Sequence, residues 1–216
     1  MTSVYSILVH PNRQSLNSSL FNLANDHFKQ QGYTVNAVNL YDLQEQIYAA
    51  DRVLEQTKVS PKERQFQSEY YHNYIKVLDL SPFTSAHVDQ LKIADILYIQ
   101  TPIMVWMLPG LLKKYIENVF VPDGAFTCPN PWSDDYDLVK LLAGKQVFFS
   151  ITAGAGTALT NHIMGSVDNM TAPIKSMCEF VGYEWLPPHL TLGVTETNNR
   201  RQDYLDSFQS HLKFLF

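Results

Sequence analysis

From Asp95 to Phe120 the chain passes from an apolar run, through a loop bounded by prolines, into an amphipathic run without a gap. That order reads as strand, loop, helix. Ile96 to Ile99 is the short apolar run expected of a strand covered on both faces, as parallel sheets require, so this strand belongs at the centre of a sheet. Pro102 cannot donate to a ladder, which ends the strand near Thr101. Pro109 suits the first turn of a helix, where its missing N–H is not needed. Leu111, Leu112, Tyr115, Ile116, Val119 and Phe120 then recur at helical spacing, with Lys113, Lys114, Glu117 and Asn118 mostly on the other side. Ile103, Met104, Val105, Trp106, Met107 and Leu108 form an unbroken apolar series at the carboxyl end of the strand, where a solvated connection is usually polar. They either cover the core or meet something flat and apolar, since ligands of open parallel sheets bind beyond the strand ends.

The rest of the chain repeats this unit. Val4 to Val9 is a buried-strand run. A polar turn, His10 to Asn17, precedes a helix from about Ser18 to Gln31 with Leu20, Leu23, Ala24 and Phe28 as its stripe. Gly32 stops that helix, and Thr34 to Leu40 alternates into a second strand joined by a right-handed crossover. Thr84 to Ala94, capped by Thr84 or Ser85, leads into the central strand. Gln146 to Ile151 is the fourth strand, followed by a loop of small residues from Thr152 to Thr157. Pro173 to Val181 is amphipathic and ends at Gly182. Glu184 to Val194 holds a last strand interrupted near Pro187 and Pro188, and Arg200 to Phe214 closes the chain as a helix. Five strands separated by helices predict an α/β fold: a doubly wound, five-stranded parallel sheet in the flavodoxin-like order 2-1-3-4-5, with helices on both faces and a ligand at the switch between the first and third strands. Tyr41 to Pro82, with Tyr48, Phe66, Tyr70, Tyr71 and Tyr74, is too long for an ordinary connection and is expected to wrap a surface or partner. Pro122 to Trp132 reads as a loop with apolar tips.

No Pro-rich or Gly/Ser linker divides the 216 residues, so residues 1–216 are expected to form one domain. A composition of 45% apolar and 17% charged residues excludes disorder as the main state. The net charge of −5, with basic residues dispersed, argues against nucleic acid. There is neither an apolar stretch of membrane-spanning length nor a basic start with a small-residue cleavage site, which predicts a cytoplasmic protein. Cys128 and Cys178 are too few and too far apart for a disulfide framework or a metal knuckle, so both are expected as reduced thiols with no metal.

Ser15, Asn17 and Ser18 can direct hydroxyl, amide and backbone N–H groups toward an anion at a helix N-terminus, with phosphate the natural candidate, or they can serve as ordinary helix caps. Neither a Gly-x-Gly-x-x-Gly fingerprint nor a Walker sequence is present. The loop at Thr152-Ala153-Gly154-Ala155-Gly156-Thr157 is small enough for a ligand to approach its backbone closely.

Taken together, His10-Pro11-Asn12-Arg13-Gln14-Ser15-Leu16-Asn17, Thr101 through Lys113 and Ser150-Ile151-Thr152-Ala153-Gly154 resemble the flavodoxin-like NAD(P)H:quinone oxidoreductases, the DT-diaphorase and modulator of drug activity B group. The likeness continues through Val119-Phe120, Gly124-Ala125-Phe126-Thr127 and Phe180-Val181-Gly182-Tyr183. It implies that His10, Ser15, Leu16 and Asn17 hold the flavin phosphates and ribityl chain, with Pro102, Ile103, Met104, Val105, Trp106, Thr152, Ala153 and Gly154 around the ring. Phe66-Gln67 matches the family's adenine-side segment, which favours FAD over FMN. The implied reaction is ping-pong hydride transfer from NAD(P)H to a quinone-like acceptor, in a homodimer whose sites are finished by the neighbour.

Trp106 and Phe126 are the expected walls of the acceptor slot. The family's second aromatic is Cys128 here, which shrinks that side and admits a nitroaromatic or azo acceptor. The family's Tyr and His after the glycine loop are not matched. Thr157 to Gly165 is shorter and has no Tyr; Met164 falls at the histidine position, leaving His162 as an off-register catalytic candidate. Relatives of this group also include flavin-binding ancillary subunits of bacterial potassium-efflux systems, for which the Tyr70 to Tyr74 segment would be a docking surface.

Overall fold

The computed structural model describes residues 1–56, 81–127, 138–194 and 200–216. Its sheet is built on β1 (Ser3–Leu8), which lies parallel between β2 (Thr34–Asn39) and β3 (Ile96–Pro102); β6 (Gln146–Ala153) follows on the far side of β3. The fifth position is shared by β7 (Glu184–Trp185) and β8 (His189–Leu192), both parallel to β6. The prolines at 187 and 188 supply no N–H to the ladder, so the expected last strand is divided there. The order β2-β1-β3-β6-β7 is the predicted doubly wound arrangement.

Burial follows the two-residue period of a strand. Val4, Leu8, Ile96, Tyr98 and Phe148 face α1 (Leu16–Gln30) and α7 (Arg201–Leu215), packing with Leu20, Phe21, Ala24, Phe28, Phe208 and Leu212. Tyr5, Ile7, Leu97, Ile99, Val147 and Phe149 face the other way. There they meet α2 (Gln44–Gln56) through Ile47, α3 (Pro82–Ile93) through Val88 and Leu91, α4 (Gly110–Val119) through Leu112, Tyr115 and Val119, and α6 (Val167–Val181) through Ile174 and Val181. Central strands buried on both faces read as continuous apolar runs for this reason, whereas β2, at the edge, is largely exposed along its length.

Several boundaries differ from the sequence reading. α1 starts at Leu16, because the Ser15 side chain accepts from the Ser18 N–H and caps it there. α3 is capped by Ser81 and carries Pro82 in its first turn, ahead of the expected Thr84 or Ser85. The stretch after β2 begins with a 3₁₀ turn (Leu40–Leu43) and α2, so its first part is regular. β6 continues through Thr152 and Ala153, which are therefore strand residues. α5 (Thr157–Met164) stands where no helix was expected, and α6 begins before Pro173, which lies inside it; Gly165 at φ 79° separates the two, and Ser166 accepts from the Asn169 N–H to cap the second. Phe126–Thr127 (β4) pairs antiparallel with Val139–Lys140 (β5) instead of forming a loop.

Candidate functional site

The carboxyl ends of β1, β3 and β6 are joined by direct bonds. The Val9 N–H donates to the Gln100 carbonyl at 2.9 Å, and the Ile103 N–H to the Thr152 carbonyl at 2.7 Å. Below them, the Asn17 amide nitrogen lies 3.0 Å from the Thr152 hydroxyl, while the Asn17 amide oxygen accepts from Gln100 Nε2 at 2.9 Å. Gln100 Oε1 in turn accepts from the Tyr98 hydroxyl at 2.9 Å. Burial pushes the Tyr98 phenol well above its ordinary range, so it remains a donor. The three segments singled out from the sequence thus meet at one sheet edge.

The first segment is a compact turn. Asn12 Oδ1 accepts from the Gln14 N–H at 2.8 Å, and the Asn12 carbonyl accepts from the Ser15 N–H and from the Ser18 hydroxyl. The His10 carbonyl is held by Asn39 Nδ2 at 2.9 Å, and His10 Nδ1 lies 3.1 Å from the Asn12 main chain. Ser15 is occupied as the cap. Leu16 and Asn17 follow it in the first turn, where N–H groups have no partner inside the helix and carry the positive end of its dipole. Arg201 of α7 reaches the same turn, donating to the Gln14 and Ser15 carbonyls at 3.2 Å and to the Ser19 hydroxyl at 2.6 Å. Sequence reasoning missed this cation, which lies more than 180 residues from the turn it joins.

The second segment is a tight reversal. Met104 and Met107 exchange both backbone bonds, at 2.8 and 3.0 Å, around Val105 at φ 49° and Trp106 at φ 65°. Two consecutive positive φ values define the turn type that favours Asn-Gly, and neither residue here is glycine. Left-handed backbone costs an L residue about 1–2 kcal/mol, and a branched Cβ makes it a rare conformation. The closing bonds leave the N–H groups of Val105 and Trp106 outside the turn's own bonding. Met104, Val105 and Met107 are exposed, with Val105 at 91%, while Trp106 is half-buried. Pro102 and Ile103 are half-buried at the strand end.

The third segment is the end of β6. Thr152 and Ala153 are buried and Gly154 is exposed; a Cβ at Gly154 would meet only the Val194 carbonyl, at 3.6 Å, so the protein's own packing does not demand glycine there.

Other candidates fall differently. The Phe126 ring packs edge-to-face on Phe180, 4.9 Å between centroids, against the core on the α6 side. His162 is exposed on α5, while Met164, two residues on, packs against the core. Gln67 and Cys128, with Phe66 and the Tyr70 to Tyr74 segment, lie outside the described residues. Among the described residues no group of three His, Cys, Asp or Glu side chains could hold a metal ion, and no helix is long and apolar enough to cross a membrane.

The doubly wound parallel sheet in the order β2-β1-β3-β6-β7, with its loops gathered at the carboxyl ends of β1, β3 and β6, is that of the flavodoxin-like class of α/β proteins. This chain belongs to the flavodoxin-like fold family, whose model matches residues 2–212. It is 28% identical over 192 residues to human ribosyldihydronicotinamide dehydrogenase [quinone], covering 87% of this chain and 80% of that one. It is 26% identical over 194 residues to NAD(P)H dehydrogenase [quinone] 1 of Cavia porcellus, covering 88% and 68%. A shorter match, 27% over 107 residues and 48% of this chain, is to a glutathione-regulated potassium-efflux system ancillary protein of Enterobacter, of which it covers 54%. Among solved structures, the fold is shared with the NAD(P)H:quinone oxidoreductase of Methanothermobacter marburgensis (TM-score 0.72, 14% identity, 99% of this chain and 96% of that one). It is also shared with an FMN-dependent NADH-azoreductase of Bacillus anthracis in complex with FMN (TM-score 0.64, 16% identity, 100% and 99%).

Proposed function

We propose that this chain is a flavin-dependent NAD(P)H oxidoreductase that reduces quinone-like acceptors. The observation that carries the reading is the meeting of three unlike loops at one sheet edge, each suited to a different part of a flavin. The Leu16 and Asn17 N–H groups, backed by Arg201, suit the phosphate end. The apolar turn from Pro102 to Trp106 suits one side of a planar ring, with the Val105 and Trp106 N–H groups at its rim. The Thr152 to Gly154 main chain suits the ring's polar edge, where the absent Cβ of Gly154 lets a ligand approach. Flavin, when bound, supplies hydride acceptance from NAD(P)H and hydride donation to the acceptor in alternate steps. The residues bind and orient it, and Trp106 offers a stacking wall to a flat acceptor. His162 is exposed on α5 and is retained as a proton-donor candidate only through its place after the glycine loop.

FAD is the proposed flavin, with FMN as the alternative, and the proposed location is the cytoplasm. The proposed assembly is a homodimer: Met104, Val105 and Met107, with Leu159 and Ile163 on α5, are exposed apolar side chains that a second copy would cover. The test is direct. Purified protein should be yellow, release FAD or FMN on denaturation, and oxidise NAD(P)H rapidly only when menadione is added. Yellow protein with negligible turnover against quinone, nitroaromatic and azo acceptors would favour the potassium-efflux ancillary reading that the shorter match raises. Protein that takes up neither flavin refutes both.

A further inference from the structure

Asn17 stands on the first turn of α1, beside the N–H groups assigned above to the phosphate end, yet its side chain turns inward and the residue is 6% exposed. Its amide reaches Gln100 on β3 and Thr152 on β6, and the Thr152 carbonyl accepts from Ile103 at the start of the apolar turn. One planar group therefore ties the phosphate end to the ring end. Gln100 is fully buried and held from behind by Tyr98, so it has no surface to offer a ligand. Resting on the flavin reading above, we propose that Asn17 is a positioning residue. Its side chain does not touch the cofactor; with Gln100 it sets the separation between the two halves of the flavin site.

An amide suits this task because it presents a donor and an acceptor on one rigid plane, matching a hydroxyl on one strand and an amide on the other. Leucine keeps the branching at Cγ and offers neither group. A ligand with two ends binds tightly when the sites for both ends are held at the right distance beforehand. Loosening that distance weakens the joined molecule while leaving the contacts of each half intact.

The experiment titrates flavin-free protein by fluorescence quenching, with FMN as the two-ended probe and lumiflavin as the ring alone. In Asn17→Leu and in Gln100→Leu, FMN affinity should fall about tenfold, the size of one or two lost buried hydrogen bonds, while lumiflavin affinity stays within about twofold. Thr152→Val, which removes a hydroxyl at almost constant shape, should move FMN affinity the same way by less and serves if the two leucine variants do not fold. Parallel loss of FMN and lumiflavin would overturn the proposal in favour of a general loss of fold or a ring contact. Weaker FMN binding in Asn17→Leu but not in Gln100→Leu would overturn it in favour of direct phosphate contact. Wild-type protein that binds both probes, with variants unchanged, overturns this proposal alone; wild-type protein that binds neither overturns the flavin reading with it.

Discussion

Replacing Val105 by asparagine should stabilise the flavin-free protein. At φ 49° Val105 lies in the left-handed region, where the Cβ of an L residue crowds the following carbonyl at a cost of about 1–2 kcal/mol, and a branched side chain fits worst. At 91% exposure the side chain has almost no packing to lose within its own chain, so the gain is read at a protein concentration low enough to keep the chain monomeric. Asparagine tolerates this region because its short amide bonds to nearby backbone, and it is the residue favoured at the first central position of such a turn. Relief of about 1 kcal/mol raises the unfolding midpoint of a domain this size by about 2–4 °C. Trp106 at φ 65° carries the same backbone cost, but it is half-buried, so its replacement would mix relief of strain with loss of packing. The assay is thermal unfolding followed by far-UV circular dichroism. Val105→Ala, which keeps the left-handed position but drops the branch, should fall between valine and asparagine. An unchanged or lower midpoint for asparagine would refute the claim that Val105 is strained, while equal gains for alanine and asparagine would place the strain in the branched side chain alone and refute the backbone part of the claim.

The same turn supplies a functional prediction. Trp106→Ala should lower kcat/KM for menadione by tenfold or more while shifting stability by less than the roughly 3–5 kcal/mol lost when a core tryptophan is truncated. Steady-state kinetics and urea unfolding on one preparation test it, and a full core-sized loss of stability would reassign Trp106 to packing. Away from the site, His189 is held down to about 4, first by burial and second by the neighbouring His211. A histidine whose folded pKa is depressed stays neutral in the native state while the unfolded chain takes up a proton below about 6.5. Stability is therefore complete above that value and is lost as the pH falls from about 6.5 to about 4, by about 3 kcal/mol in all. Urea midpoints across that range should flatten in His189→Leu; an equally steep profile in the variant would assign the pH dependence elsewhere, to buried His27 or half-buried His87, whose pKa values burial also lowers.

How much of this was legible in the sequence depended on how local the signal was. Strand β3, the apolar loop and α4 follow one another in 24 residues from Ile96 to Val119, and their periodicity read directly as strand, loop and helix. The division of the last strand at Pro187 and Pro188 was equally legible, because a proline's missing N–H acts where it stands. α5 and the start of α6 were hidden by Pro173, which argues for a helix start in sequence but is tolerated inside α6, and by Ser166, whose capping bond depends on backbone geometry. The left-handed Val105 and Trp106 were hidden for the opposite reason: neither residue type announces that conformation, which is closed by the Met104–Met107 bonds.

The polar network under the site was the least legible feature, and the reason is physical. Asn17, Gln100 and Thr152 are separated by 83 and 135 residues, and each alone has an ordinary explanation: a helix-start asparagine, a strand-end glutamine and a strand-end threonine. Gln100 did leave one trace. A long polar side chain directly after the apolar run Ile96 to Ile99, on the strand expected to be buried on both faces, must find partners or cost roughly 1–3 kcal/mol. Its partners had to come from the elements that meet β3 at its carboxyl end, and the adjacent strand ends belong to the two loops already singled out. A buried amide at the end of a central parallel strand therefore points to the crevice it supports, even when the ligand-facing residues beside it are apolar or expose only backbone.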